Sequence, residues 1–259
     1  MDTRPLAAIL ALVLFLVPAS GLAQEPTPAP VFPPAPPTDV PAPTRPARTV
    51  EVSADEVVRA NPNIPNVSLV VNVGAGHEPA LSMLDTLKEK GLRTSFFVLG
   101  WWAERQPGMD ILKRIADDGH EVASHGHKVF DLTKVSDAAV RDDLESADRV
   151  ISAVTGKTTR PLWSASAGAR DARVNGIAAS LGYRPIYLTV DSLDWTHEAT
   201  ADSVYNRVME RTVNGAIVVL HFDSPTTVRS TAGALPRLID DLRAKGFNLV
   251  TVTELLTAE

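Results

Sequence analysis

"LKEKGLRTSFFVLGWWAERQPGMDILKRIADDGHEVASH", residues 87–125, contains the alternation of elements that decides the fold of this chain. The β-rich run RTSFFVLG (93–100) is typical of a buried strand. The next run, GMDILKRIADDG (108–119), predicts a helix that ends at a glycine. HEVASH (120–125) then predicts a second short strand. The stretch therefore predicts strand, helix and strand in succession.

The same alternation continues on both sides of that stretch. VSLVVNV (67–73) is predicted to be the first strand, and the helix after it has Leu81, Leu84 and Leu87 at helical spacing. Further helices are predicted at SDAAVRDDLESADRVISAVTG (136–156), ARVNGIAASLG, ADSVYNRVMERT and AGALPRLIDDLRAKG, and further strands at YRPIYLTVD, GAIVVLH (215–221) and FNLVTVT. Such alternation predicts an α/β fold with parallel strands and crossover helices, in a barrel or an open sheet. About seven units favour the barrel.

The amino terminus has the pattern of a signal peptide over residues 1–23. Arg4 provides a positive charge, Leu6 to Val17 form a short apolar core, and the segment ends in the small residues that signal peptidase prefers. The apolar core is shorter than the ~20 residues that span a bilayer, so an uncleaved anchor is the weaker alternative. We expect a secreted, extracytoplasmic or periplasmic protein with no transmembrane segment after signal removal.

Residues 24–66 are predicted to be a proline-rich spacer and lead-in, and residues 67–259 a single domain. Ten of the 20 prolines lie between Pro26 and Pro46, and such a stretch favours extended polyproline II. The chain has no cysteine, which excludes disulfides and thiolate metal sites. Its net charge is −6 and its Lys and Arg residues are scattered, which argues against nucleic acid as a partner.

Polar and aromatic side chains recur at the predicted carboxyl ends of the strands, where (β/α) barrels carry their sites. They are Asn72 after the first strand, His125 and His127 after the third, Arg160 and Trp163 in TRPLWS, Asp191, Asp194 and Trp195 in DSLDW, and His221 in VVLH. Large aromatic residues at such positions are either core residues or platforms for a sugar ring. Their convergence with histidines and acids predicts a functional site.

Residues 87–125 are followed by DLTKVS, RPLWS, DSLDW and VVLH in that order. Over nearly all of residues 67–259 this series resembles the polysaccharide deacetylase family, the NodB-homology domains of carbohydrate esterase family 4. The resemblance implies a distorted (β/α) barrel of about seven units. It also implies hydrolysis of N-acetyl groups from glycans such as chitin or peptidoglycan, at a zinc-type site.

The chain departs from the family pattern at that metal site. The family's first motif is Thr-Phe-Asp-Asp-Gly, and VVNVG replaces it, so Asn72 stands at the general-base position and Val73 at a ligand position. His125 matches the first ligand histidine, whereas Val129 takes the place of the second. A catalytic zinc needs about three protein ligands and an open position for water. Because valine has no lone pair to donate, the sequence predicts that this metal site is lost.

The later motifs are better preserved, and the resemblance implies roles for their residues. His221 matches the general acid, and Asp191 matches the acid that tunes it, with Asp194 as an alternative. Arg160 matches the arginine that steadies the base. Three further residues are expected to contact substrate: Trp163, Trp195 and Leu220.

Three hypotheses follow for function. The first is an exported domain that binds a cell-envelope glycan, peptidoglycan or chitin-like, with little or no metal-dependent deacetylation and no cofactor. The second is an active deacetylase with a relocated site for a divalent metal such as zinc, built from His125 and His127 with His77 and Glu78. The third is an envelope scaffold that binds no glycan.

Overall fold

The computed structural model describes residues 49–128, 131–222 and 224–258. The predicted signal peptide and the proline-rich part of the spacer lie outside the described residues, and so does Val129. The described residues belong to one compact unit. No helix among them is both long enough and apolar enough to cross a bilayer.

Strands and helices alternate along the described chain. In order they are β1 (Asn66–Val73), α1 (Ala80–Glu89), β2 (Ser95–Val98), α2 (Gly100–Ala103), α3 (Gly108–Asp117), β3 (Glu121–Ser124), α4 (Asp137–Thr155), β4 (Leu162–Trp163), α5 (Ala172–Ser180), β5 (Arg184–Pro185), β6 (Val190–Asp191), α6 (Ala201–Arg211), β7 (Ile217–His221), α7 (Pro225–Arg229), α8 (Thr231–Ala244), β8 (Asn248–Leu249) and α9 (Val252–Thr257). Short 3₁₀ helices occupy Leu132–Lys134 and Ser166–Gly168.

The strands form one parallel sheet with β1 near its middle. The order is β5-β4-β3-β2-β1-β7-β6, and β8 pairs with the first two residues of β1. Every pairing between these strands is parallel, as crossover helices require. The predicted α/β fold, a distorted (β/α) barrel of about seven units, is confirmed.

The alternation of side chains along β1 decides which residues reach the barrel interior. Leu69, Val71 and Val73 pack outward into the cluster that the surrounding helices cover. Val70 packs inward with residues of the neighbouring strands. Because successive strand residues face opposite sides of a sheet, Asn72 follows Val70 and faces the interior at the carboxyl end. Val73 lies on the helix side, where it is buried.

The barrel is not closed by strand pairing alone. The predicted single strand YRPIYLTVD is divided into β5 and β6, and these two strands are not neighbours in the sheet. Residues of the predicted lead-in occupy the space between them. The Val57 N–H donates to the Pro185 carbonyl (2.9 Å), and the Tyr187 N–H donates to the Val57 carbonyl (2.8 Å). Arg59 forms an isolated antiparallel bridge with Ala216, the residue before β7.

The lead-in also contributes to the core. Val50 is buried among the inward-facing residues of the barrel, and Val57 and Ala60 pack against the same cluster. Val252 and Leu255 of α9 join that cluster, so the amino-terminal end of the barrel interior is filled with apolar side chains. The carboxyl end is left for polar residues.

Most predicted elements are found with small shifts of their ends. The helix predicted over residues 136–156 is α4, in which the Ser136 side chain accepts from the Ala139 N–H and Gly156 ends the helix at φ 71°. The predicted last strand is reduced to β8, since the chain turns into α9 at Thr251. The short helices α2 and α7 were not predicted.

Candidate functional site

A pocket of about 440 Å³ opens at the carboxyl ends of the strands, where the sequence predicts a site. It is lined by residues that lie in, or directly after, six of the strands: Asn72, His125, Ser164, Ala165, Ala167, Gly168, Tyr187, Leu188, Asp191, Trp195, Val219 and His221. A smaller recess of about 90 Å³ adjoins it beside the turn after β1. Asn72, His125, Ala167 and His221 line both spaces.

His221 and Asp194 form a hydrogen-bonded pair at the edge of this pocket. One carboxylate oxygen of Asp194 lies 2.7 Å from His221 Nδ1, and the other accepts from the His221 backbone N–H at 2.7 Å. The Thr231 hydroxyl donates to that second oxygen. Asp194 is fully buried, so these donors satisfy a carboxylate that water does not reach. The pair fixes the orientation and tautomer of the imidazole.

Asp194, rather than Asp191, is therefore the partner of His221. The Asp191 side chain instead accepts from the Leu193 backbone N–H at 2.9 Å and lines the open pocket. Leu193 has a φ of 57°, which is uncommon for a residue with a side chain. This left-handed residue lies between the two acids, at the turn that follows β6. The sequence prediction assigned the role to Asp191 and kept Asp194 as the alternative, and the geometry reverses that order.

His125 reaches the pocket from the end of β3. Its Nδ1 lies 2.9 Å from the Ser164 carbonyl oxygen, which orients the ring. Burial lowers the pKa of His125 to about 4, against the smaller opposing effect of that hydrogen bond. The imidazole is therefore neutral at physiological pH and donates its Nδ1 hydrogen to Ser164.

The recess beside β1 is mostly apolar. Val73, Gly74, Ala75, Leu99 and Ala167 line it together with Asn72, His125, Ser166 and His221. A Cβ added to Gly74 would lie 2.1 Å from Leu99 Cδ1, so the leucine side chain packs directly on the turn after β1. Ala167 has a φ of 52°, which places its loop against the same recess. Alkyl groups thus occupy the surroundings of the predicted base position.

The side chains present do not fit the zinc-type site of the family. Among the described residues, no three histidine, aspartate or glutamate side chains are grouped closely enough to hold a metal ion. Val129, the predicted second lost ligand position, lies outside those residues. Asn72 brings an amide and Val73 a hydrocarbon to the end of β1. About three protein ligands are needed, and the recess does not offer them.

The relocated metal site is not assembled either. The His127 ring packs on α2, where a Cβ added to Gly100 would lie 2.5 Å from its Nδ1. The His127 backbone N–H donates to the buried Asp143 carboxylate at 2.9 Å. His77 and Glu78 line neither the pocket nor the recess. The structure therefore brings only His125 of this set to the pocket.

The sequence predicts that Arg160 faces the base position at Asn72, and the structure contradicts this. Arg160 precedes β4, so it lies near the amino-terminal end of the strand, away from the pocket. Its guanidinium pairs with Asp148 of α4, donates to the Leu181 carbonyl at 2.6 Å, and stacks on the Tyr183 ring. Arg160 is a structural residue that joins α4 to the end of α5.

Two predicted substrate contacts are core residues. Trp163 is 1% exposed and packs among side chains of α4 and α5, and Leu220 is fully buried under the helix layer. Their strands alternate, so Leu162 and Val219 face the interior while Trp163 and Leu220 face the helices. The role predicted for these two residues is corrected accordingly.

Trp195 lies where a sugar platform is predicted. It is 55% exposed, and it lines the pocket just after the turn that carries Asp194. Tyr187, Leu188 and Val219 were missed as lining residues. Val219 could have been found from the alternation of side chains along a strand. It stands two residues before His221 on β7 and therefore faces the same side of the sheet. No pattern in the sequence marks Tyr187.

The fold and the site together define an α/β protein: a parallel (β/α) barrel in which a buried aspartate orients a histidine at the carboxyl ends of the strands. A sequence profile described as polysaccharide deacetylase matches residues 59–206, more than half of the chain. The chain belongs to the polysaccharide deacetylase family.

Two curated relatives and one solved structure place the chain within that family. It is 30% identical over 203 residues to the uncharacterized protein YlxY of Bacillus subtilis, covering 78% of this chain and 60% of YlxY. It is also 30% identical to the peptidoglycan-N-acetylglucosamine deacetylase PgdA of Listeria monocytogenes, covering 79% of this chain and 41% of PgdA. This chain thus spans less than two thirds of the length of either relative.

The solved structure is that of a family 4 carbohydrate esterase pseudoenzyme from Bacillus anthracis. The sequences are 30% identical and the TM-score is 0.72, with 79% of this chain and 69% of the other covered. With this TM-score, the two chains share the fold over the matched residues.

Proposed function

We propose that this chain is an exported polysaccharide deacetylase-family domain that binds N-acetylated cell-envelope glycans, with little or no metal-dependent deacetylation. One observation carries the proposal. The carboxyl end of β1 presents the Asn72 amide and an apolar recess to a pocket that still has His221, Asp194 and the exposed Trp195.

The chemistry of β1 supports the loss of hydrolysis. An amide does not accept a proton as a carboxylate does, and loss of a general base typically costs about 10²–10⁴ in rate. Without a metal, water also keeps its high pKa and remains a poor nucleophile. The similar structure from Bacillus anthracis is described as a pseudoenzyme, which supports the view that this fold also occurs in proteins without the family's activity.

The remaining lining supports glycan binding. Trp195 and Tyr187 provide aromatic surface, and Asn72 and Asp191 provide hydrogen-bonding groups in the same pocket. Sugar rings have apolar faces and polar edges, so aromatic side chains together with a few polar groups are the usual means to hold them. PgdA, by its name, acts on peptidoglycan N-acetylglucosamine, and we extend that substrate class to this chain as a ligand.

Export is part of the proposal. The signal pattern over residues 1–23 and the proline-rich residues that follow favour a domain held away from its anchoring point in the envelope. Expression of the full chain in a bacterial host, followed by amino-terminal sequencing of the extracytoplasmic fraction, tests it. We expect cleavage after Ala23; an unprocessed cytoplasmic chain would contradict export.

Acetate release tests the loss of hydrolysis. The purified chain is incubated with N-acetylglucosamine oligomers and added zinc, cobalt or nickel, with PgdA as a positive control. We expect acetate at the level of the protein-free blank. Acetate that rises with protein concentration and disappears with a chelator would overturn this part of the proposal and restore an active deacetylase.

Glycan titration tests binding. We expect tetra-N-acetylchitotetraose to change the tryptophan fluorescence of the wild-type chain, and Trp195→Ala to abolish this change and weaken binding about tenfold. Trp101→Ala is the matched control, because Trp101 does not line the pocket and Arg105 stacks on it instead. If no glycan binds to the wild-type chain by calorimetry, a scaffold without glycan binding is the better description.

A further inference from the structure

Tyr187, which no sequence motif marks, forms one wall of the pocket. The guanidinium carbon of Arg170 lies 3.3 Å from the centroid of its ring. A cation in such close contact restricts the ring to one orientation. The Arg170 Nη1 also donates to the Gly168 carbonyl at 3.0 Å, and Gly168 lines the same pocket. One arginine therefore supports two adjacent parts of the pocket lining.

Arg170 is in turn held by Glu56, a residue of the lead-in. The contact is bidentate, with Nε to Oε1 at 2.5 Å and Nη2 to Oε2 at 3.2 Å. Both side chains are about three quarters buried. The planar fork of an arginine matches a carboxylate in this geometry, and lysine does not reproduce it. Since its charge is paired and its donors are used, Arg170 acts as a support.

The backbone places Glu56 beside Tyr187. Val57 exchanges main-chain hydrogen bonds with Pro185 and Tyr187, and the Thr189 hydroxyl donates to the Val58 carbonyl at 2.6 Å. The lead-in thus runs along the wall of the pocket as an added edge. A change at Glu56 therefore reaches the pocket through Arg170, which contacts Tyr187 and Gly168.

The charge of the lining limits the ligand. Among the described residues around the pocket there is one carboxylate, Asp191, and no lysine or arginine. Both histidines of the lining are already engaged through Nδ1, His125 with the Ser164 carbonyl at 2.9 Å and His221 with the buried Asp194 carboxylate at 2.7 Å. A ligand carboxylate next to the pocket would meet the like charge of Asp191, and the described lining has no lysine or arginine to pair with it, which costs affinity. The lining therefore fits a neutral N-acetylhexosamine better than one that carries a lactyl group.

Building on the proposed function, we propose that Tyr187 is a sugar-contact residue that selects a neutral N-acetylhexosamine, and that Glu56 and Arg170 are positioning residues for it. The lead-in ahead of β1 is then a working part of the glycan site. A ring that is already oriented loses less conformational freedom when the sugar binds, which is the physical origin of the gain in affinity.

Calorimetric titration with tetra-N-acetylchitotetraose tests this. We expect Tyr187→Ala to raise Kd about tenfold and Tyr187→Phe to stay within about twofold of wild type, because the ring remains. Glu56→Gln and Arg170→Lys are each expected to raise Kd about threefold at an unchanged melting temperature. Glu51→Gln, on an exposed residue of the same lead-in, is the matched control and is expected to have no effect.

A second titration compares di-N-acetylchitobiose with the N-acetylglucosamine–N-acetylmuramic acid disaccharide. We expect the neutral disaccharide to bind more tightly, and Asp191→Asn to reduce the difference. If wild type binds neither glycan, the proposed function itself fails. If wild type binds but Tyr187→Ala and Glu56→Gln bind equally well, or the acidic disaccharide binds more tightly, this inference alone is overturned. Tyr187→Leu replaces Tyr187→Ala if the alanine variant does not fold.

Discussion

Two carboxylates three residues apart, Asp191 at the end of β6 and Asp194 in the turn after it, have different surroundings and therefore different roles in the site. Asp194 is fully buried and accepts from His221 and Thr231. Asp191 accepts from the Leu193 N–H and faces the open pocket. A buried carboxylate depends on every donor around it, whereas an exposed one can exchange a lost partner for water. The two positions should therefore respond differently to the same substitution.

Asp194→Asn is expected to lower the free energy of unfolding by about 3 kcal/mol, because it places an N–H₂ group against donors in a site without water. Asp191→Asn is the matched control, with an expected loss of less than about 1 kcal/mol, since one carbonyl oxygen still accepts from Leu193. Urea denaturation at pH 7 measures both. If the free energy of unfolding falls as much in the Asp191 variant as in the Asp194 variant, the assignment of Asp194 as the buried partner of His221 is contradicted.

The residues of the site could be predicted in part, and strand parity explains much of the rest. His221, Asn72 and His125 line the pocket at the strand ends where they were expected. Once His221 is placed inward, Leu220 must face the helices, and the same rule sends Trp163 outward when Leu162 is inward. Applying parity to the sequence would have removed both from the predicted contacts.

At the scale of elements, the segment from Thr49 to Pro65 is the least expected part of the structure. It was predicted to be spacer and lead-in, yet it carries Val50 into the core and bridges β5 to β7. Hydrophobic periodicity predicts an element's type but not its partner, and this segment pairs with residues far along the chain. The division of the predicted strand YRPIYLTVD into β5 and β6 has the same origin, because Tyr187 pairs with Val57.

Removal of this segment tests its contribution to stability. In a chain that starts at Pro65, we expect the free energy of unfolding to fall by about 3 kcal/mol or more. The reason is that the contacts of Val50 and Val57 are lost, and burial of one valine side chain contributes about 1.5–3 kcal/mol. A chain that starts at Thr49 keeps all of these contacts and serves as the control. Thermal unfolding followed by circular dichroism measures the difference. Equal Tm values for the two chains would show that the segment is dispensable for folding.

At the scale of the whole molecule, the stability should depend on pH through buried neutral histidines. His120 is 8% exposed, accepts from the Thr94 N–H at 3.2 Å, and packs edge-on against Phe96 at 5.0 Å. Burial lowers the pKa of His120 to about 4, from 6.5 for an exposed imidazole. Arg114 and Arg93 lower the pKa further, while Asp118 opposes them. The folded state therefore binds a proton less readily than the unfolded chain.

Because the folded pKa of His120 lies below the unfolded value, this histidine's contribution to stability is present above pH 6.5 and is lost as the pH falls toward 4. A shift from 6.5 to about 4 corresponds to a loss on the order of 3 kcal/mol over this range. We expect His120→Asn, whose amide oxygen can accept from Thr94, to flatten the pH dependence of the unfolding free energy by about this amount. His197→Asn, on an exposed histidine, is the matched control and should leave the slope unchanged. Denaturation curves at half-unit steps from pH 4 to 7.5 give the change of the unfolding free energy with pH. If the His120 variant has the wild-type slope, this imidazole takes up its proton in the folded protein as readily as in the unfolded chain, which contradicts the prediction.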